Sequence, residues 1–337
     1  MQEPGELSGE SAAVCANCGA PLGGEYCQSC GERRLHPDEH TLRHVAGEWF
    51  EAFSHGEGRL LNSLRTLLFK PGELTREYFR GRRVPYTRPV ALFFAVNLLY
   101  FLLAALQTFN TSLNTQLEIS PLAELKQVLV MRHVAGAPIG SAESALLADD
   151  YWHSQNPSAV NARKSAGPSA AASVSGIVPA RDARVFAALQ SYGKRYDERT
   201  DGLSRALVIA LVPMLACWLW LALVPWRRGL AELSIFATHT WGALLLILLV
   251  FGWAWKGLAK AMLWYRGELP AFLQTDLYGS AVLGVLMLVY VYCALRNNFR
   301  FTWVGSTVLC IWTMAGLYLS LELYRVLLFF VTVYALH

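Results

Sequence analysis

Long apolar runs constrain this chain more than any other feature. Five of them, at residues 89–106, 203–224, 233–255, 277–295 and 303–321, are nearly free of charged residues. Coiled as an α-helix, a run of about twenty residues crosses the ~30 Å hydrocarbon layer of a bilayer. Inside hydrocarbon each backbone N–H and C=O must be satisfied within the protein, so such runs become helices rather than open strands. Apolar residues continue beyond 321, and the whole stretch to His337 is too long for one perpendicular helix. Glu322 and Arg325 interrupt it, so a separate membrane-associated helix is expected at 322–336. Hydrophobic residues make up 54% of the chain and charged ones only 16%, whereas a soluble domain carries roughly a quarter charged.

Ahead of the apolar runs stand Cys15-x2-Cys18 and Cys27-x2-Cys30. A Cys-x2-Cys turn offers two thiolates with the bite of a tetrahedral metal, and a second turn completes the site. Gly19 and Gly31 follow the second cysteine of each pair, where a left-handed backbone closes the turn. The spacing predicts a four-cysteine zinc ribbon over 15–34 with a structural zinc, all four positions being filled by protein. A redox dithiol normally sits in a βαβ context, a disulfide pair needs an oxidising compartment, and a rubredoxin-type iron site shares the ligand set. About twenty residues cannot bury a core, so the metal is expected to fold this segment. Four thiolates on one Zn²⁺ take the formal charge of +4 to about +2. Cys217, Cys293 and Cys310 lie singly in apolar segments and read as small hydrophobes.

Residues 1–14 read as a disordered polar leader without the basic and apolar regions of a signal peptide, so the first apolar run is expected to do the targeting. Between 35 and 88 the sequence predicts basic amphipathic helices lying at the membrane interface. Residues 59–88 hold eight Lys and Arg against Glu73 and Glu77, a net +6 beside the first run. Arg76, Arg80, Arg82, Arg83 and Arg88 are the expected contacts to anionic headgroups. Pro71-Gly72 predicts a turn, after which Glu73 or Thr75 caps a new helix. With Arg227-Arg228, Arg296 and Arg300 on the same side, the positive-inside rule places the N-terminus in the cytoplasm. Lys256, Lys260 and Arg266 argue against that orientation, as do Lys194, Arg195 and Arg199 in a longer connection, where the rule is weak.

Residues 107–202 read as an extracytoplasmic loop, with a short helix near 121–132 and a low-complexity centre. Asn97, His239, Glu322 and Arg325 form a candidate intramembrane polar site, because ionisable groups are costly there. Interhelical hydrogen bonding by Asn97 and His239, and an i,i+3 pairing of Glu322 with Arg325, are the structural alternatives. No P-loop, G-x-S-x-G, dinucleotide glycine loop or metal-binding His cluster is present. Few basic or aromatic residues lie within the cysteine module, which argues against nucleic-acid recognition.

The motifs Cys15-Ala-Asn-Cys18-Gly, Tyr26-Cys27-Gln-Ser-Cys30-Gly-Glu-Arg, Pro71-Gly-Glu-Leu-Thr-Arg-Glu-Tyr78 and Gly81-Arg-Arg-Val-Pro-Tyr86 resemble an uncharacterised bacterial membrane-protein family, a domain of unknown function with a zinc-ribbon head. The likeness covers about residues 15–106, with Tyr324-Arg325-Val-Leu-Leu-Phe329 similar to its C-terminal motif. It implies a bacterial inner membrane and supplies no activity. The expected fold is mainly α: a polytopic helical bundle preceded by the ribbon and amphipathic surface helices. The expected role is a non-enzymatic scaffold or adaptor whose ribbon docks a cytosolic protein; the alternative is a small-solute or lipid transporter.

Overall fold

The computed structural model describes residues 14–32, 57–103, 109, 111–118, 122–135, 180–226 and 228–336. Most of the expected leader, residues 33–34 of the expected ribbon, 35–56 of the interfacial segment, the last residues of the first apolar run and the low-complexity centre at 136–179 lie outside them. In chain order the helices are α1 (Glu57–Phe69), α2 (Glu73–Phe79), α3 (Pro89–Leu103), α4 (Leu113–Glu118), α5 (Ala123–Ala135) and α6 (Ala180–Leu207). They continue as α7 (Leu211–Leu223), α8 (Leu230–Arg266), α9 (Ala271–Gln274), α10 (Asp276–Phe299) and α11 (Trp303–Ala335). Among the described residues no strand forms beyond an isolated bridge between Val14 and Pro21. The fold is mainly α, and among the described residues four helical stretches are long and apolar enough to cross a membrane: Ala188–Leu223, Leu230–Arg266, Leu277–Phe299 and Trp303–Ala335. The helix of the first apolar run, Pro89–Leu103, is shorter.

The chain divides into two compact units. The first comprises Met1–Leu106 and Leu211–Tyr318. Its axis is α8, whose most apolar window is 89% buried, against 22% for α10. The Thr75 hydroxyl of α2 meets His239 near the start of α8, and Trp253 donates to the Leu103 carbonyl at the end of α3. Those two contacts lie ~21 Å apart along α8, so the helix ties both ends of the α2–α3 segment. At 37 residues α8 is ~55 Å long. That exceeds the hydrocarbon layer, and Lys256, Lys260 and Arg266 occupy an extension past the expected 233–255 span.

The second unit comprises Gln107–Ala210 and Leu319–His337. At its described residues it replaces the expected loop at 107–202 with packed helices at Leu113–Glu118, Ala123–Ala135 and Ala180–Leu207. Leu113, Leu117, Val130, Leu189, Tyr192, Tyr196, Phe329 and Val333 form one core drawn from α4, α5, α6 and α11. Asp197 accepts the backbone N–H of Leu113 at 2.8 Å, satisfying a first-turn donor of α4 from 84 residues away.

Two expected helix boundaries also move. The apolar run at 203–224 is reached through α6 and a 3-10 turn at Val208–Ala210 before α7 begins. Pro213 has no N–H to give to the carbonyl of Ile209, so the ladder tightens there. The expected division near 321 is absent, and α11 is continuous. Glu322 and Arg325 pair at 2.7 Å on one face and neutralise each other without breaking the ladder.

Candidate metal centre and hinge

The cysteine head is built from two copies of one turn. The Gly19 N–H donates to the Cys15 carbonyl and the Cys15 N–H to Ala20, both at 2.8 Å. The Gly31 N–H donates to Cys27 and the Cys27 N–H to Glu32 at the same distance. Gly19 and Gly31 both take positive φ, +77° and +73°, as the expected closure requires. Sγ of Cys15 lies 3.6 Å from that of Cys30, and Sγ of Cys18 lies 3.6 Å from that of Cys27. All four sulfurs fall within 4.8 Å of one another. Thiolates at ~2.3 Å from a tetrahedral zinc stand ~3.8 Å apart, whereas a disulfide needs ~2.0 Å. The donor set and spacing therefore fit a metal ion held by four thiolates.

The thiols do not share protons evenly. Backbone N–H groups of Cys30 and Ser29 lower the Cys27 thiol to about 6. The Ala20 amide lowers Cys18, but Cys30, burial and the other thiols outweigh it and push that thiol up to about 12. A cation would relieve this crowding of incipient charge.

The head is tied to the turn before α3 by a carboxylate. Glu32, 9% exposed, accepts the backbone N–H groups of Arg83 at 3.2 Å and Val84 at 3.0 Å. The segment from Lys70 to Arg88, the hinge, is itself docked into the bundle. Gly72 takes φ +79° at the start of α2, and a Cβ there would stand 2.6 Å from the Ala294 carbonyl oxygen. Asn297 donates to the Pro71 carbonyl at 2.9 Å, and the Tyr290 hydroxyl to Leu67 at 2.6 Å. Tyr78 packs with Ala231 and Ile235 of α8.

This docking corrects the expected cap. Gly72 occupies the N-cap position of α2 with no side-chain bond, and Thr75 instead points into the bundle, 2.9 Å from Nδ1 of His239. Nε2 of His239 is buried without a hydrogen-bond partner among the described residues. A small cavity of about 10 Å³, bordered by Lys70, Thr75, His239 and Tyr290, adjoins it. That volume is about what one water needs.

The arginines expected to face headgroups have intramolecular partners as well. Arg76 pairs with Glu73, and Arg80 and Arg82 both reach Glu77 at 3.0 and 3.5 Å. Arg83 lies over the Tyr78 ring at 4.2 Å. Arg80, Arg82 and Arg88 keep part of their surface open to the outside. Asn97 is buried on α3 and His239 on α8 in the first unit, while Glu322 and Arg325 belong to the second. The latter pair lies near a residue that sequence reading misses. Lys126 is fully buried, donates to Gln116 at 2.7 Å and lies 5.1 Å from the Phe329 ring centroid. Burial lowers its amine to about 8, Glu322 acting against that and Arg325 with it. Its one sequence signal is a lysine on a helix otherwise rich in Leu and Val.

Residues 57–101 match a family described as "Protein of unknown function (DUF3667)". The matched segment is α1, α2, the hinge and nearly all of α3, so it holds Thr75 and Gly72 but none of the four cysteines. No curated protein and no solved structure matches the chain.

Proposed function

We propose that this protein is a multi-pass adaptor of a bacterial inner membrane whose N-terminal head carries a structural zinc in the cytoplasm and docks a cytosolic protein. The observation that carries the reading is the closed four-thiolate site pinned through Glu32 to the hinge before α3. A site with four protein ligands leaves no open position for chemistry, so the metal shapes a surface rather than a reaction. Val14 and Tyr26 are 64% and 61% exposed on that surface, giving a partner two apolar anchors. Zinc suits an all-thiolate tetrahedron of this size. The cytoplasmic orientation is supported by the basic hinge, which meets Asn297 of α10, together with Arg228, which lies over Phe299, and Arg296 and Arg300. Membrane lipids of the anionic leaflet are the second expected partner, through Arg80, Arg82 and Arg88.

A photo-crosslinking residue at position 26 of the full-length protein in cells tests the docking. Crosslinks to a discrete cytosolic protein, lost in Cys18→Ser at normal membrane insertion, are expected. Crosslinks to lipid alone, or a pattern indifferent to Cys18→Ser, defeat the proposal. The second reading, transport of a small solute or lipid, draws on Nε2 of His239, which has no hydrogen-bond partner among the described residues. It predicts the reverse: loss of phenotype in His239→Ala and none in Cys18→Ser.

A further inference from the structure

The bundle carries an apolar groove with a cationic mouth. It lies between the C-terminal end of α7 and the first turns of α11, with a volume of about 440 Å³. Leu221, Leu223, Phe301, Val308, Leu309 and Trp312 line it, and Gly305 leaves its middle open. Along α11 its lining ends at Trp312, which stacks on Trp218 at 4.5 Å with their planes 14° apart. Each Nε1–H donates to the other residue's carbonyl, at 2.9 and 3.1 Å. Gly316 accommodates this clasp, since a Cβ there would meet the Trp218 ring at 2.1 Å. These tryptophans are therefore fixed, and the groove is a preformed shape.

The charges lie at the opposite end. Arg300, exposed and with no ion-pair partner among the described residues, directly precedes Phe301. Arg296 lies one helical turn before it, its guanidinium 3.5 Å from the Tyr292 hydroxyl. Arg228 lies over the Phe299 ring at 5.5 Å, and its charge is matched by Glu232 at 2.7 Å. Arg300 thus stands next to the Phe301 end of the lining, with Arg296 one turn earlier on α10. From the start of α11 at Trp303 to Trp312 the groove wall runs ~14 Å, about half of the ~30 Å hydrocarbon layer. A slot one leaflet deep, apolar along its length and cationic at one end, has the dimensions and polarity of a phospholipid.

We propose that this groove binds one anionic phospholipid, an acyl chain lying against Val308 and Trp312 and its phosphate facing Arg300 and Arg296. The site is separate from the hinge arginines and from the cysteine head, and it rests on α7 and α11 being membrane helices, not on the adaptor reading.

The test uses the full chain in nanodiscs of equal parts phosphatidylglycerol and phosphatidylcholine, with retained lipid read by native mass spectrometry. The wild type is expected to keep one phosphatidylglycerol per chain. Val308 is 63% exposed, so Val308→Trp fills the groove without entering the core and should abolish retention. Arg300→Gln should lower it about fivefold, the effect of one basic residue at an anionic headgroup. Val285→Trp, at a 62% exposed position on α10, should retain the lipid as the wild type does. Equal retention in Val308→Trp and wild type overturns the site. Equal retention of the two lipids, or no effect of Arg300→Gln, overturns the anionic assignment. A dimer that dissociates in Val308→Trp, with no lipid bound in the wild type, makes the groove a contact between copies and also overturns it.

Discussion

The cysteine head and the second unit fold by opposite means. The head has two buried hydrophobic residues, Cys15 and Cys27, and its form comes from four sulfurs and four short-range backbone bonds. The second unit buries Tyr192, Tyr196 and Lys126, and its core joins residues as far apart as Leu113 and Val333. One is a local structure stabilised by a ligand, the other a non-local structure stabilised by apolar burial. Contacts within fifteen residues can be read from spacing. Contacts across two hundred cannot.

The largest expected effect breaks the head alone. Chelation, or Cys27→Ser, should remove on the order of 10 kcal/mol of metal-binding energy and leave residues 14–32 without fixed structure. Metal analysis and protease sensitivity of the head measure this. An unchanged metal content in Cys27→Ser would remove the four-thiolate assignment. The second unit should be indifferent to chelator.

Phe329→Ala should do the reverse. It opens a cavity beside Tyr196 and Lys126 and should cost about 3–5 kcal/mol. The expected signature is proteolysis within 111–135 and 180–210 at unchanged metal content.

Smaller changes probe the hinge. Gly72→Ala forces a side chain into left-handed backbone and against the Ala294 carbonyl, at a cost of about 1–3 kcal/mol, read as a lower melting temperature in detergent. Thr75→Val removes one buried hydrogen bond to His239 and should cost about 1 kcal/mol. A larger loss would mean that Thr75 also orders the small cavity.

The smallest effect concerns pH. Lys126 has a folded pKa of about 8, lowered from 10.5 by burial. The unfolded chain therefore binds the extra proton between those values, and stability gains from Lys126 as pH rises through them. Below pH 8 both states are protonated and the penalty is fully present. The stability difference between Lys126→Met and wild type should therefore shift in favour of wild type from pH 8 to 10. A difference constant over that interval would place the amine in a more solvated setting.

Legibility follows the range of the interaction. Cys15, Cys18, Cys27, Cys30 and the two glycines after them are readable because a metal knuckle is a local object. The helical class is readable because hydrocarbon admits little else. Thr75 reads as a cap from its neighbours at 72 and 76, because His239 stands 164 residues further on. Glu322 and Arg325 read as a break because charge in an apolar run is costly; their 2.7 Å pairing shows how the helix continues.

Period, spacing and composition were enough to specify a chain of apolar helices, though not where two of them begin and end, together with the four-thiolate head and the basic segment beside the first run. Other features emerge only when the chain is packed. The hinge docks on α8 and α10 through Gly72 and Thr75, Lys126 is buried, and α7 and α11 enclose a groove with a cationic mouth. Each of these arises from residues that become neighbours only when distant helices exclude lipid and water between them, and no local pattern in the chain encodes that meeting.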